Sequence, residues 1–460
     1  MELPATSVLY VLLQEEPEGL DLPALDFAYF GTRGIVGIVM LIHMIFAQLF
    51  VGYVIGSPLL QTWGVRKGNA HMQRLSHALD RFNVLTFSLG ATFAGMFLVL
   101  IVGFYPRVTS ALFTHFFWFF PVLAMGTMVL TLTLLYVYHY RTQRRSIVAG
   151  LGAAFFILVW QAILTGVDTF MVTGGGAGEP AVQSGGNLSF SGLGAALDSI
   201  LNPMFIPLDL HRTFGNLSWP AFAVAAWAAF RYLGAKSAED KAFYDWAGSM
   251  GVMWGTIFLL LQPFAGFAIA FTMKAAYQPN APMAQGAGGP YDRLVGSGPG
   301  ADSWTSNLLY INLLMVVGLF VLSNVAMYLG ARRHPESAGR VPISFFGSVA
   351  AVAGLYSVSP VADWPFLYMR YIMILIMVIT TLVATIAYVR GRRLFRYGSP
   401  GGGYRAVLLL IGVLAVVLTM NMGYMKSNSR IPYTIYGQPQ YKVESERPIT
   451  QEQIKSQTRP

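Results

Sequence analysis

Three histidines, His43, His115 and His211, lie within or beside long apolar stretches of the sequence. An ionisable side chain at membrane depth is costly and usually faces a functional interior. Imidazole is also a common axial ligand of iron porphyrins. A single buried histidine is more often a satisfied core residue than a ligand. Three histidines at a similar depth, on three predicted helices, favour axial ligands to a buried cofactor.

The segment PFLYMRYIMILIMV supplies a second kind of donor, Met369 and Met373, on either side of Arg370. The two methionines are four residues apart and therefore share one helical face. Histidine and methionine together form a common low-spin heme pair suited to electron transfer, although methionine also fills gaps in apolar cores. Arg370 suits a heme propionate or another anion, and it could equally extend to the lipid headgroups.

The composition restricts the class of protein. The 460 residues are 55% hydrophobic and only 11% charged, against roughly 25% charged in soluble domains. The chain has no cysteine, which excludes disulfides, iron–sulfur clusters and covalently attached heme. The net charge of +9 is typical of a membrane protein with basic cytoplasmic loops and does not indicate a nucleic-acid partner.

The apolar runs are about 20 residues long, enough to cross a hydrocarbon core of about 30 Å. The sequence therefore predicts an all-α, polytopic transmembrane helix bundle with about 9–10 spans in a bacterial or archaeal cytoplasmic membrane. The shortest run, 342–359, is the weakest candidate. The runs are 34–57, 82–105, 113–138, 147–166, 214–232, 247–273, 305–329, 342–359, 366–389 and 404–424.

Lys and Arg concentrate in the loops that follow the odd-numbered runs. The positive-inside rule places these loops in the cytoplasm and both termini outside. We expect five regions: an extracytoplasmic segment 1–33, a six-span heme-binding bundle 34–273 with an outer loop 167–213, an outer segment 274–304, a second bundle 305–424, and an extracytoplasmic tail 425–460.

Carboxylates are scarce in the predicted spans. No glutamate lies inside one, and aspartates approach them only at their edges, as at Asp80, Asp168, Asp245 and Asp363. Proton pumps and many transporters use carboxylate relays within the membrane. The scarcity of carboxylates in the spans argues against an ion-coupled transporter and favours electron transfer.

Several motifs, in this order along the chain, resemble subunit I of the cytochrome bd quinol oxidases. The first run carries His43 where that family has its first heme histidine, and RFNVLTFSLGATFAG is similar to the start of its second helix. NPMFIPLDLHRTFGN resembles its entry to the fifth helix, and this implies that His211 ligates a low-spin heme b. MRYIM resembles its Arg-x-Met segment.

Two further segments extend the resemblance. GYMKSNSRIPYTIYG is similar to the Gly-Arg-Gln-Pro-Trp region and places Arg430 in it. KAAYQP lies where the quinol-binding loop begins, which implies a quinol site at Lys274 and Gln278.

The chain also departs from that family. Met373 follows Arg370 by three residues instead of two, so Met369 competes with it as the axial ligand. Phe120, Met128 and Asn421 stand where the family has the glutamates of its oxygen-reducing site. The quinol loop is shorter, with the pair of runs 305–359 beside it, and the final helix is absent.

The sequence predicts a heme b-binding subunit of a respiratory complex that passes electrons from quinol to an extracytoplasmic acceptor such as a c-type cytochrome. Two or three b hemes are expected: His211 with Met373 holds one, His43 holds a second, and His115 pairs with that second heme or ligates a third. A subunit II-like protein or other membrane subunits would accompany it. The alternatives are a divergent terminal oxidase that reduces oxygen, and a cofactor-free transporter or scaffold.

Overall fold

The computed structural model describes most of the apolar part of the chain. The described residues are 31–104, 116, 118–140, 143–172, 182–184, 187–189, 197, 199–277, 303–333, 340–358, 367–429, 434–435 and 438–439. The helices are α1 (Gly31–Arg66), α2 (Ala70–Phe104), α3 (Met125–Tyr140), α4 (Gln143–Val172), α5 (Phe205–Leu233), α6 (Ala238–Leu259), α7 (Gln262–Thr272), α8 (Ser303–Ala331), α9 (Arg340–Ser357), α10 (Leu367–Gly391) and α11 (Gly402–Ser429).

Short irregular elements flank these helices. A π-helical turn, Trp118–Ala124, leads into α3, another, Met273–Tyr277, follows α7, and a 3₁₀ turn, Arg392–Leu394, follows α10. Two small antiparallel hairpins complete the described elements: β1 (Val182–Ser184) with β2 (Asn187–Ser189), and β3 (Thr434–Ile435) with β4 (Gln438–Pro439).

The all-α polytopic bundle predicted from the sequence is confirmed. Among the described residues, eight segments are long and apolar enough to cross a membrane. They are Gly34–Arg66, Ala70–Phe104, Val122–Tyr140, Ser146–Thr169, Ala238–Ala275, Ser306–Ala331, Met369–Leu394 and Gly402–Met425. The other two predicted runs also fall on helices, α5 and α9, but α5 has a polar first half and α9 has only 18 residues. The orientation of the bundle stays a prediction.

The sixth predicted span is broken into two helices. α6 ends at Leu259, and α7 begins at Gln262 with a proline in its first turn. Proline has no backbone N–H and its ring clashes with the preceding turn, so it cannot continue a helix and instead starts a new one. The break allows α7 to leave the axis of α6 and to pack against the first half of α5.

Neighbouring helices in the chain pack as hairpins, α1 with α2, α3 with α4, α5 with α6, and α9 with α10. α11 packs against both α5 and α8 and so joins the two halves of the bundle. A large core lies among α5, α6, α8, α10 and α11, around Phe222, Phe320 and Tyr388. A smaller core joins α1, α3 and α4 around Val54 and Ile157.

Two glycines on α6 allow α5 and α11 to approach closely. A Cβ atom added at Gly251 would lie 2.6 Å from Ala221 O and from Ala225 N of α5. A Cβ atom at Gly248 would lie 2.9 Å from Leu408 Cδ1 of α11. Small residues are enriched at helix contacts in membranes because there van der Waals packing, not the hydrophobic effect, drives association.

We expect Gly251→Leu to lower the thermal stability of the protein, because its side chain meets backbone atoms that cannot move aside. Overpacking of a tight site typically costs about 1–3 kcal/mol. The matched control is Gly266→Leu on α7, where an added Cβ has no neighbour within 4 Å. The midpoint of thermal unfolding in detergent, followed by circular dichroism, should fall for Gly251→Leu alone. Equal midpoints for the two variants would contradict this packing.

Candidate functional site

His43 lies on α1 and is oriented by a hydrogen bond to the neighbouring helix. Its Nδ1 atom is 2.9 Å from the carbonyl oxygen of Gly90 on α2. A carbonyl oxygen only accepts, so Nδ1 carries the proton and Nε2 keeps its lone pair. Metal-ligating histidines characteristically donate their other ring N–H to a carbonyl or carboxylate, which fixes the tautomer and the ring orientation. His43 therefore has the geometry of a preoriented ligand.

The surroundings of His43 are apolar and aromatic. The rings of Phe46 and Phe93 stack at 6.2 Å, and those of Phe50 and Phe87 lie 5.3 Å apart on the same α1–α2 interface. A Cβ atom added at Gly90 would lie in van der Waals contact with Phe46 Cβ, at 3.4 Å, so α1 and α2 pack directly against each other here. An apolar shell restricts access of water and suits a flat, hydrophobic cofactor.

His211 lies in the second turn of α5, on the face turned to α6 and α7. Its carbonyl oxygen accepts a hydrogen bond of 3.1 Å from Gln262 Nε2 at the start of α7. Ser218, on the same face, donates to Gly255 O of α6 at 2.8 Å. At about 100° per residue, residues 211, 215 and 218 lie on one face of α5. The imidazole of His211 extends from that face.

The opposite face of α5 bears a polar network with α4, centred on Gln161. Gln161 Nε2 donates to Thr213 Oγ1 at 2.7 Å and to Asp209 Oδ1 at 3.3 Å. Gln161 Oε1 accepts from Asn216 Nδ2 at 2.7 Å. Farther out, Thr165 donates to Asp209 at 3.1 Å. The network fixes the rotation of α5 about its axis and thereby the direction of His211.

Arg212 extends this network toward the end of α4. Its guanidinium forms an ion pair with Asp168 and donates to Thr165 Oγ1 at 3.2 Å. The prediction of an outer loop from 167 to 213 was wrong at both ends, since α4 continues to Val172 and α5 begins at Phe205. The polar residues that suggested a loop lie instead on one face of α5, where side chains of α4 are their hydrogen-bond partners.

We expect Gln161→Leu to destabilise the protein, because it leaves the buried amide of Asn216 without its acceptor. Interhelical hydrogen bonds in membranes are worth about 0.6 kcal/mol on average, and several partners are affected here, so the loss should be about 1–2 kcal/mol. The matched control is Gln61→Leu, since Gln61 is 3% exposed, close to the 4% of Gln161.

The two variants should differ because Gln61 Oε1 is buried without a hydrogen-bond partner among the described residues. Replacing such a group by an apolar one is nearly neutral or stabilising. Thermal midpoints in detergent give the comparison. If Gln61→Leu lowered the thermal midpoint as much as Gln161→Leu does, the introduced leucine, and not the loss of the hydrogen-bond network, would be the cause of the destabilisation.

Met369, Arg370 and Met373 lie in the first turns of α10. Arg370 Nη1 donates to Tyr310 Oη of α8 at 3.5 Å, and its guanidinium carbon lies 5.9 Å from the centre of that ring. Met373 is partly buried and lines a groove beside α9. Tyr371, roughly 200° around the helix from Met373, contacts Phe267 of α7 at 5.5 Å.

The structure therefore places His211 and Met373 at separate helix interfaces. His211 lies on the face of α5 toward α7, whereas Met373 lies on the face of α10 toward α9. The shared face of Met369 and Met373 follows from their spacing. The pairing of His211 with either methionine stays a prediction.

Of the other predicted site residues, Lys274 is exposed in the π-helical turn after α7. Asn421 and Met128 stand where the resembled family has glutamates: Asn421 donates to Leu308 O at 3.2 Å, and Met128 packs against the smaller core. His115, Gln278 and Arg430 lie outside the described residues. Within the described ranges there is no cluster of three or more His, Cys, Asp or Glu that could hold a metal ion.

The sequence did not reveal how deeply three aspartates are buried. Asp80, Asp168 and Asp245 are each less than 10% exposed. Each faces a basic side chain: His139 Nδ1 lies 2.6 Å from Asp80 Oδ2, Arg212 pairs with Asp168, and Arg333 pairs with Asp245. Buried carboxylates are partnered in this way because an isolated ion is very costly to desolvate. These carboxylates therefore act in structural contacts between helices.

A polar cluster on the predicted cytoplasmic side contains the most buried ion pair of the described residues, Asp245 with Arg333. Asp245 Oδ2 also accepts from Gly398 N at 2.9 Å. The Arg333 guanidinium lies 4.3 Å from the centre of the Tyr404 ring. Burial favours the neutral form of Arg333, but Tyr404 and Asp245 outweigh it, so the pKa of Arg333 is raised and its charge is kept. This cluster joins α6, the end of α8 and the start of α11.

Comparison with known proteins leaves the chain without a family. No family model matches it, and no curated protein matches it. Among solved structures, it is similar to the bd oxidase from Geobacillus thermodenitrificans, with 14% identity over 87% of this chain and 98% of that chain, at a TM-score of 0.47. A likeness of this size assigns neither a family nor an activity to this chain.

Proposed function

We propose that this chain is a heme b-binding subunit of a membrane electron-transfer complex and that His43 is an axial ligand. The observation that carries this is the hydrogen bond from His43 Nδ1 to Gly90 O, inside a membrane-spanning helix pair. With the proton on Nδ1, the Nε2 atom of His43 keeps a lone pair that could bind the heme iron in apolar surroundings. A bound heme b supplies one-electron exchange at such a site.

The protein's own contribution would be orientation and exclusion of water. The Gly90 carbonyl selects the tautomer of His43 and limits rotation of the ring. The aromatic pairs Phe46–Phe93 and Phe50–Phe87 line the same interface.

A second heme is proposed at His211. Its helix is held by the Gln161 network on one face, which directs the face that carries His211 toward α7. Met373 or Met369 is the proposed second ligand, and this requires that α10 present a different face than it does here. Arg370, next to Tyr310 near the end of α10, is the proposed partner of a heme propionate. His115 and Arg430 complete the proposed set, for two or three hemes in all.

Quinol is the proposed electron donor, and a c-type cytochrome outside the membrane is the proposed acceptor. Lys274 is exposed at the end of α7, where a headgroup could reach it from the bilayer, and Gln278 is proposed beside it. Large exposed apolar side chains such as Val99, Trp118 and Phe271 face lipid or further membrane subunits, a subunit II-like protein among them. The proposed location is a bacterial or archaeal cytoplasmic membrane.

The test is to add a short-chain quinol to the purified, anaerobic protein and to record the visible spectrum before and after carbon monoxide. We expect reduction of b-type bands by quinol and no change with carbon monoxide, because two side chains would hold the heme iron and leave no place for carbon monoxide to bind. A carbon monoxide-reactive band together with quinol-driven oxygen consumption would instead establish the terminal oxidase. No visible absorption would reject both in favour of a cofactor-free transporter or scaffold.

A further inference from the structure

A lipid-facing groove lies between α8, α9 and α10, apart from both histidine sites. Its volume is about 890 Å³, and Tyr328, Arg340, Ser344, Val352 and Met373 are among the residues that line it. This is within the roughly 300–1,000 Å³ of small-molecule sites. The exposed fractions of Val341, Phe345 and Val352 on α9 are 69%, 62% and 70%. A groove walled by such side chains on a membrane-spanning bundle opens to the acyl chains of the bilayer.

The side chains that line the groove change from charged to polar to apolar along one face of α9. Arg340, Ser344, Ser348 and Val352 line the groove at intervals of four residues, so they lie one above another on the helix. At 1.5 Å per residue this row of residues is about 18 Å long, slightly more than the roughly 15 Å of one leaflet's hydrocarbon. A phospholipid has the same order of polarity: a phosphate, then glycerol esters, then an acyl chain.

Arg340 provides a positive charge at the end of the groove. Its Nη2 donates to Arg332 O at 2.8 Å, and Arg332 is itself exposed. The Nε atom of Arg340 is buried and has no hydrogen-bond partner among the described residues. A guanidinium with an unused donor suits a phosphate oxygen, to which it forms a charge-assisted hydrogen bond.

We infer that this groove binds one anionic glycerophospholipid of the cytoplasmic leaflet. The phosphate lies at Arg340, the glycerol region at Ser344 and Ser348, and one acyl chain runs along Val352 and Ala353. The distribution of Lys and Arg predicts that the Arg340 end is cytoplasmic, and that leaflet carries the anionic lipids. Neither a quinone headgroup nor an apolar helix of another subunit offers a negative charge to Arg340.

Native mass spectrometry of the delipidated full-length protein, titrated with dioleoylphosphatidylglycerol, tests the inference. Arg340→Gln should weaken the apparent affinity about fivefold, the effect expected for one basic residue near an anionic surface. The matched control is Arg396→Gln, because Arg396 is exposed and does not line the groove. Wild-type protein should bind dioleoylphosphatidylcholine more weakly than the phosphatidylglycerol.

A second variant tests the apolar part without altering charge. Val352→Trp fills the groove from an exposed position, so folding should be preserved while the lipid is displaced. The inference is overturned if both groove variants bind phosphatidylglycerol as wild type does, if phosphatidylcholine binds equally well, or if the purified protein holds a quinone or a partner helix there instead. Neither Arg340 nor Val352 is among the proposed heme ligands, so lipid binding and heme content are measured separately in both variants.

Discussion

Replacing His43 with alanine should remove about one heme b per chain, the largest functional effect expected of any single substitution here. The side chain is the proposed axial donor, and its Nδ1 is held by Gly90 O. Heme content is measured by pyridine hemochrome on purified protein, with the chain quantified independently.

The matched control is His77→Ala, because His77 is also on a membrane helix, α2, but is exposed. It should keep the heme content and the spectrum of the wild type. Circular dichroism of both variants verifies that helix content is preserved. An unchanged heme content in His43→Ala would reject the ligand assignment, even if the protein contains heme elsewhere.

Asp245→Asn should be the most destabilising of the polar substitutions, because it leaves Arg333 buried without its counter-ion. The side chains of Asp245 and Arg333 are 0% and 9% exposed. Removing one member of a buried pair typically costs about 3–5 kcal/mol, since the remaining charge is uncompensated. The Tyr404 ring at 4.3 Å offers only a partial substitute. The midpoint of thermal unfolding in detergent is the measurement.

Two comparisons make this prediction specific. Asp240→Asn breaks the ion pair with Arg74, whose side chains are 39% and 38% exposed, and should leave the midpoint unchanged. The double replacement Asp245→Leu with Arg333→Met should recover most of the loss, because well-packed apolar residues can replace a buried pair. A double variant as unstable as Asp245→Asn would mean that the pair's hydrogen bonds, including that to Gly398 N, matter more than its charge.

The positions of the helices could be predicted because apolar runs of span length are a direct consequence of the bilayer's thickness. Each predicted run overlaps at least one described helix, and the run 247–273 covers two. The boundaries failed where a helix has one polar face: residues such as Asp209, Arg212 and Thr213 suggest a loop until α4 supplies their partners. The break between α6 and α7 had a signal in the sequence, Gln262–Pro263, which the hydropathy of the run concealed.

The candidate site could be predicted only in its residue types. The position of a histidine at membrane depth indicated His43. Its hydrogen-bond partner, the carbonyl oxygen of Gly90, is 47 residues away and belongs to the backbone, so no pattern of side chains reveals it. The four-residue spacing predicts one helical face for Met369 and Met373. Spacing does not say which neighbour that face meets, and the structure places Met373 in the groove beside α9. The buried pair of Asp245 and Arg333 was likewise hidden, because its members are 88 residues apart.

The central claim, that this membrane chain holds heme b, is tested most directly by pyridine hemochrome quantitation of the purified wild-type protein. We expect a b-type hemochrome at about two or three hemes per chain, together with dithionite-reduced bands in the visible spectrum. A folded, helical protein that contains no heme, even after expression with added heme precursor, would contradict the account.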